Sequence, residues 1–179
     1  MKPFSSRKIA SYAVLTTVAL VLFLFETLLP RPLPWAKPGL ANAVTLLALY
    51  LLDLPAALLI VTLRVILGNL VLGTLFSPVV LLSLGGGVSA ALVMGVVVRV
   101  QSRLFSPIGI SVLGSITHNI IQLTLASWIL VQSSRLWVLL PWMTFSAVLT
   151  GMLIGIVVSL LLRRLGTLNP EKGRGRFYD

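Results

Sequence analysis

The sequence predicts an all-α membrane protein, a single bundle of six transmembrane helices. Of its 179 residues, 58% are hydrophobic and only 10% are charged, and the mean hydropathy is +1.06. Nearly charge-free apolar runs that can cross the ~30 Å hydrocarbon core of a bilayer are typical of transmembrane helices. Most basic residues flank these runs or lie near the chain ends, so the net charge of +10 reflects membrane topology and argues against nucleic-acid binding.

Six apolar segments follow one another along the chain. The predicted helices cover residues 9–29, 39–52, 55–75, 78–98, 107–131 and 136–162. The second is short for a full span of about 20 residues. It is therefore either tilted or joined to the third as a broken pair across Asp53-Leu54-Pro55. Four prolines between residues 30 and 38 make the first connection non-helical.

Two further segments bear on the organisation of the chain. Gly85-Gly86-Gly87 in the fourth predicted helix marks either a break or a close approach of another backbone or side chain. Residues 1–164 form the predicted transmembrane domain. Residues 165–179 are polar and basic, and we expect them to form a disordered cytoplasmic tail.

Lys and Arg counts predict the orientation of the bundle, because cytoplasmic loops carry the excess of these residues. An even number of spans places both termini on one side. That side holds ten basic residues: Lys2, Arg7, Lys8, Arg99, Arg103, Arg163, Arg164, Lys172, Arg174 and Arg176. The other side holds three, Arg31, Lys37 and Arg135. We therefore predict a multi-pass protein of the cell (plasma) membrane with both termini in the cytoplasm.

The remaining basic residue, Arg64, sits in the middle of the apolar run 58–72. A guanidinium at the centre of a bilayer costs about 2.5–3.5 kcal/mol on insertion scales. Such a residue faces the protein interior and has a partner there, and by default it marks a functional site. Glu26 is the acidic residue predicted to lie nearest to it.

Further polar residues are predicted in the outer half of the bundle. Spacings of three and four along the fifth helix place Ser111, Ser115, His118, Asn119 and Gln122 on one face. The candidate substrate-binding residues are Arg64, Asn42, Lys37, His118, Asn119, Gln122, Asn69 and Glu26. A site of this composition suits a small anionic or strongly hydrogen-bonding molecule that enters from outside.

A purely structural role for the same residues remains an alternative. Arg64 and Glu26 can form a static pair that fixes helix packing. Asn, Gln and His side chains in membrane helices also bond across helices, at about 0.6–2 kcal/mol each.

Several classes of function lack their motifs in this sequence. There are no cysteines, so disulfides, thiolate metal sites and iron–sulfur clusters are excluded. No Walker A motif is present, and one His beside one Glu is too few for a metal site. No Asp-rich motif can hold magnesium and a diphosphate. We therefore predict no catalytic residues, no metal, no cofactor and no enzymatic activity for this chain.

Small residues predict helix contact faces. They recur every fourth position in the fourth helix at Gly87, Ala91 and Gly95, and in the sixth at Gly151, Gly155 and Ser159. On the first helix, Ser6, Ala10, Ala13 and Thr17 share one face. That face serves either internal packing or the docking of a partner.

Four segments resemble a known family, the Gx transporter family, also labelled heptaprenyl diphosphate synthase component I. They are Ala36-Lys-Pro-Gly-Leu-Ala-Asn42-Ala-Val-Thr-Leu-Leu, Leu63-Arg64-Val-Ile-Leu-Gly68, Ser83-Leu-Gly-Gly-Gly87 and Gly114-Ser-Ile-Thr-His118-Asn119-Ile-Ile-Gln122. The resemblance covers residues 10–162. The family is in turn similar to the substrate-binding S components of energy-coupling factor (ECF) vitamin transporters.

The resemblance implies a six-helix fold, a binding site in the outer leaflet and a lid between the first two helices, at 30–38 here. It also implies partners, namely a coupling membrane subunit and two cytoplasmic ATPases. Ser6-x-x-x-Ala10 and Ala13-x-x-x-Thr17 stand where those proteins carry an Ala-x-x-x-Ala docking face. The alternatives are a non-catalytic membrane subunit of a heptaprenyl diphosphate synthase and a membrane anchor for a redox assembly.

Overall fold

The computed structural model describes residues 6–28, 39–101 and 105–166. Helices account for almost all of these residues, and no strand occurs among them. The predicted all-α fold is therefore confirmed. Lys37, the lid segment 30–38 and the tail residues 167–179 lie outside the described residues, as do the side chains of Arg7 and Gln101.

Six α-helices follow the order predicted from the sequence. They are α1 (Ser6–Leu28), α2 (Asn42–Leu51), α3 (Leu54–Val71), α4 (Pro78–Gln101), α5 (Pro107–Leu125) and α6 (Leu140–Arg164). A π-helical turn, Ala126–Val131, extends α5, and a 3-10 helix, Ser134–Leu139, leads into α6. Five of the helical segments are long and apolar enough to cross a membrane.

The second helix differs from the other five in length. With 10 residues, α2 is about 15 Å long, half the thickness of a bilayer core. It ends before Leu52 and Asp53, and the Asp53 carboxylate accepts a 2.7 Å hydrogen bond from the backbone N–H of Ala56. This bond caps the start of α3, whose first turn also carries Pro55. The chain is thus broken between α2 and α3, as one of the two sequence-based alternatives has it.

The short helix α2 lies in the centre of the bundle. It packs against all five other α-helices, and six of its residues are buried: Asn42, Val44, Thr45, Leu46, Ala48 and Leu49. Its apolar side chains join Ala57 and Ile60 of α3, Ala90 and Met94 of α4 and Val158 of α6 in the main hydrophobic core. Because protein surrounds α2, this helix does not have to match the thickness of the bilayer.

The backbones of α5 and α6 approach each other closely at two glycines. A Cβ atom on Gly155 would lie 2.5 Å from the Cα of Ile108, and one on Gly151 would lie 2.8 Å from the Cα of Val112. The residue that is later in α6 thus meets the residue that is earlier in α5, so the two helices run antiparallel. The predicted small-residue contact face of the sixth helix is confirmed at these two glycines.

We expect Gly155→Ala to destabilise the protein by about 1–3 kcal/mol, since the added methyl group meets backbone that has little room to move. The matched control is Gly109→Ala on α5, where the nearest contact of an added Cβ would be an ordinary 3.5 Å to Phe105. That substitution should be neutral or slightly stabilising. Thermal unfolding of both variants in detergent tests the prediction, and equal melting temperatures would contradict it.

Labelling of single cysteines tests the orientation, and the absence of native cysteines leaves no background. Phe76 and Ser134 are exposed in the α3–α4 and α5–α6 connections, and Leu165 is exposed just beyond α6. In intact cells, a membrane-impermeant maleimide should label Phe76→Cys and Ser134→Cys. It should label Leu165→Cys only after permeabilisation. The opposite pattern would reverse the orientation, and labelling of all three would exclude the six-helix topology.

Candidate functional site

Arg64 lies on the protein-facing side of α3. Its side chain is 3% exposed and shares the buried face with Ile60, Val61 and Gly68, whereas Leu59 and Leu70 point away from the bundle. The guanidinium Nη2 donates a 2.8 Å hydrogen bond to the Oδ1 of Asn42. A residue on α3 thereby holds the first turn of α2, the central helix.

Glu26 of α1 holds the start of α2 through a second hydrogen bond. Its carboxylate, near the end of α1, is 2% exposed and accepts a 3.0 Å hydrogen bond from the backbone N–H of Ala41, directly before α2. A negative charge at the start of a helix is favourable, because the first backbone N–H groups have no partner within the helix. The carboxylate is also near enough to Arg64 to stabilise the positive charge of the guanidinium.

These polar side chains line a small internal cavity of about 10 Å³, roughly the room for one water molecule. Its walls are formed by side chains of the five helices α1, α2, α3, α4 and α5, and by Gly39 ahead of the turn into α2. The lining residues are Phe23, Glu26, Gly39, Asn42, Arg64, Val65, Ser83, His118 and Gln122. The cavity lies in the half of the bundle that contains the last turns of α1 and α5 and the first turn of α2.

The glycine run on α4 makes room for this cluster. A Cβ atom on Gly86 would lie 3.0 Å from both the Cγ of Gln122 and the Nδ1 of His118, and one on Gly87 would lie 3.5 Å from the Nη2 of Arg64. Because α4 continues without interruption from Pro78 to Gln101, the run marks a close approach and not a helix break. The missing side chains let α3 and α5 bring their polar groups together.

Several buried polar atoms of the cluster have no hydrogen-bond partner among the described residues. They are the Nε of Arg64, the Nδ2 of Asn42, the Oγ of Ser83 and both amide atoms of Gln122. A buried polar group left unpaired costs about 1–3 kcal/mol. Three of these groups are N–H donors, so the site is suited to a molecule that presents oxygen acceptors. Among the described residues, no three His, Cys, Asp or Glu side chains come together to hold a metal.

The structure brings together five of the eight residues proposed from the sequence: Glu26, Asn42, Arg64, His118 and Gln122. Two others lie elsewhere. Asn69, in the last turn of α3, donates to the carbonyl of Val65 and accepts from the hydroxyl of Thr74. Asn119 donates a 2.9 Å hydrogen bond to the carbonyl of Met143 and so joins α5 to α6. Lys37 falls outside the described residues.

Helix geometry explains the different placement of neighbouring polar residues on α5. His118 and Gln122 are four residues apart and face α4, whereas Asn119 is turned by about 100° and reaches α6. Ser111 and Ser115 approach Gly155 and Gly151 of α6 and do not line the cavity. Sequence reasoning missed Ser83, whose position next to the glycine run was the available signal.

The proposed docking face on α1 is exposed. Ser6, Ala10, Ala13 and Thr17 all lie on the surface, and the Thr17 hydroxyl is satisfied within the helix by the carbonyl of Ala13. Only 17% of the apolar stretch of α1 is buried inside the bundle, the lowest share among the five long helices. The face therefore takes little part in packing among the described residues and is available to lipid or to a partner.

A family model described as heptaprenyl diphosphate synthase component I matches residues 15–161. The matched region contains α2 to α5, most of α1 and α6, and every residue that lines the cavity. No curated protein and no solved structure matches the chain. The likeness to ECF S components therefore stays a prediction from the motifs. The match does establish the family: this chain, a helical multi-pass membrane protein, belongs to the heptaprenyl diphosphate synthase component I family.

Proposed function

We propose that this protein is the substrate-binding membrane subunit of a transporter, and that the polar cavity around Arg64 is its binding site. The observation that carries the proposal is the convergence of the buried Arg64 guanidinium with unpaired amide and hydroxyl groups from three other helices. Helix packing alone needs paired polar groups, since each unpaired one is destabilising. A cluster that keeps several such groups at one cavity is arranged for a molecule that pairs with them.

The charge balance of the cluster narrows the class of substrate. Glu26 already offsets part of the charge of Arg64, and it is engaged with the backbone N–H of Ala41. The remaining donors are the Nε of Arg64, the Nδ2 of Asn42 and the Nε2 of Gln122. They suit carboxylate, phosphate or carbonyl oxygens, and charge-assisted bonds to Arg64 would be the strongest of the set.

Binding of such a molecule requires the cavity to enlarge. At about 10 Å³ it is far smaller than the ~300–1,000 Å³ of typical small-molecule sites. Gly39 and Asn42 form one wall, and they directly follow the first connection of the chain. A substrate that replaces Asn42 as the hydrogen-bond partner of Arg64 would release this segment. Its outward shift would then open the cavity toward the side on which the first connection lies.

We expect a small molecule to co-purify with the protein and to depend on Arg64. Arg64→Lys keeps the positive charge but loses the two-pronged donor geometry of the guanidinium. It should lower retention of the molecule about tenfold, as expected for one lost charged hydrogen bond. Mass spectrometry of extracts from denatured protein measures the effect. Asn119→Ala is the matched control, since this polar residue of α5 lies away from the cavity.

Glu26→Gln separates a structural role of the charged pair from substrate binding. The amide oxygen can still accept the bond from Ala41, so the start of α2 stays held. Loss of the molecule in Arg64→Lys at unchanged melting temperature supports direct contact with Arg64. If no molecule is enriched on the native protein relative to detergent blanks, or if Arg64→Lys retains it as Asn119→Ala does, the cavity is not a substrate site.

A second function is favoured by the family description, namely a membrane component of a heptaprenyl diphosphate synthase. Prenyl transfer between diphosphates needs carboxylates that hold magnesium. Of the two acidic residues that the structure describes, Glu26 and Asp53, only Glu26 lines the cavity, so under this proposal the catalytic groups come from another subunit. The chain would then anchor that subunit at the membrane or hold the apolar end of its product.

The partner recovered with the protein distinguishes the two functions, and the exposed face of α1 is the proposed point of contact. Ala10→Trp should reduce partner recovery severalfold without lowering the melting temperature, because Ala10 is exposed on α1. Leu153→Trp on the exposed face of α6 is the control for added bulk. Affinity purification followed by mass spectrometry measures recovery.

Recovery of ATPases and a coupling membrane subunit supports the transporter, and recovery of a soluble prenyl synthase supports the second function. Equal recovery by Ala10→Trp and the native chain would show that the partner binds elsewhere. These outcomes do not depend on whether a small molecule occupies the cavity.

A further inference from the structure

A second and much larger cavity opens at the surface between α5 and α6. Its volume is about 370 Å³, and it shares no residue with the cavity around Arg64. It is lined by Ser127, Trp128, Gln132, Ser133, Ser134 and Trp137. We refer to these six residues as the tryptophan cleft.

The backbone of the tryptophan cleft is fixed by a reciprocal pair of hydrogen bonds. The hydroxyl of Ser127 donates to the carbonyl of Ser133 at 2.9 Å, and the N–H of Ser133 donates to the carbonyl of Ser127 at 3.2 Å. Between them, Gln132 adopts the left-handed conformation with φ of 49° and ends the π-helical turn. Single π-helical turns are rare and occur frequently at functional sites. This turn holds Trp128 at the rim while Ser127 is buried beneath it.

The position of the tryptophan cleft matches the boundary between lipid tails and headgroups. It lies where the apolar stretch of α5 ends and that of α6 begins. Trp128 and Trp142 are 71% and 64% exposed, and Trp137 is 39% exposed. Tryptophans concentrate at the membrane–water interface, because the ring is apolar while its N–H needs a polar partner. Val138 and Ile129, next to these residues in sequence, add exposed apolar surface.

The polar lining and the nearest charge indicate an anionic ligand. Ser133, Ser134 and Gln132 supply hydrogen-bonding groups beside the two indole rings, whereas the buried Ser127 hydroxyl is already bonded to the carbonyl of Ser133. Arg135 does not itself line the cleft, but it is exposed and lies between the lining residues Ser134 and Trp137 in sequence. Among the described residues, no acidic side chain lies in the segment 132–137 to offset it.

We propose that the tryptophan cleft binds the headgroup and glycerol region of an anionic phospholipid from the adjoining leaflet. The volume is within the range of small-molecule sites and accommodates a headgroup, while the acyl chains continue along the exposed apolar surface of α5 and α6. The indole rings flank the glycerol region, the hydroxyl and amide groups meet phosphate oxygens, and Arg135 supplies the opposite charge. This site is independent of the proposed transport function.

Lipid binding to the purified protein in detergent tests this site. Brominated phosphatidylglycerol and brominated phosphatidylcholine quench the fluorescence of nearby tryptophans, and titration with each gives its affinity. We expect tighter binding of phosphatidylglycerol. Arg135→Gln should weaken it about fivefold, the effect of one basic residue near an anionic lipid surface, and should leave phosphatidylcholine unchanged. Arg135→Lys should retain most of the preference.

Variants outside the tryptophan cleft provide the controls. Trp137→Leu should weaken both lipids, whereas Trp142→Leu, which removes a more exposed indole that does not line the cleft, should weaken neither. Arg163→Gln at the opposite end of α6 controls for a general loss of charge. Equal affinity of the native protein for the two lipids would overturn the proposal. So would an effect of Arg163→Gln as large as that of Arg135→Gln.

Discussion

The hydrogen bond between Arg64 and Asn42 is the interaction on which the arrangement of this bundle depends. A guanidinium within the apolar middle of α3 must face protein and must find an oxygen acceptor there, because the surrounding lipid tails offer none. The acceptor is the first residue of α2, and α2 is the helix that all the others enclose. Satisfying one charge therefore sets where the central helix begins. Glu26 reinforces that point by holding the preceding backbone N–H from α1.

Much of the fold follows from the sequence, because apolar runs bounded by prolines and charges define helices without tertiary information. The order and type of all six helices were predictable, as was the interior position of Arg64. The length of α2 was not, since Gly39 to Ala41 are as apolar as the helix itself yet form a turn fixed by Glu26 from fifteen residues away. The continuity of α4 through three glycines likewise depends on what packs against them.

The candidate site was predictable in part, for a geometric reason. Spacing along one helix identifies a face but not the helix that the face meets. His118 and Asn119 are adjacent in sequence, yet one borders the cavity and the other bonds to α6. Asn69 lies in the last turn of α3, but its side chain bonds to Val65 and Thr74 and does not line the cavity. Ser83 was missed because one hydroxyl in an apolar helix carries little signal without its neighbours.

The brevity of α2 also has a consequence for how the chain enters the membrane during synthesis. A segment of ten residues that begins with a buried Asn cannot remain in the bilayer as an independent helix, since it is too short to span the core. The unpaired backbone groups at both ends of α2 and the Asn42 amide would be exposed to lipid until α1 and α3 enclose them. Insertion of α2 therefore has to be coupled to that of α3. The two helices then enter as one hairpin once Arg64 has been synthesised and can bond to Asn42.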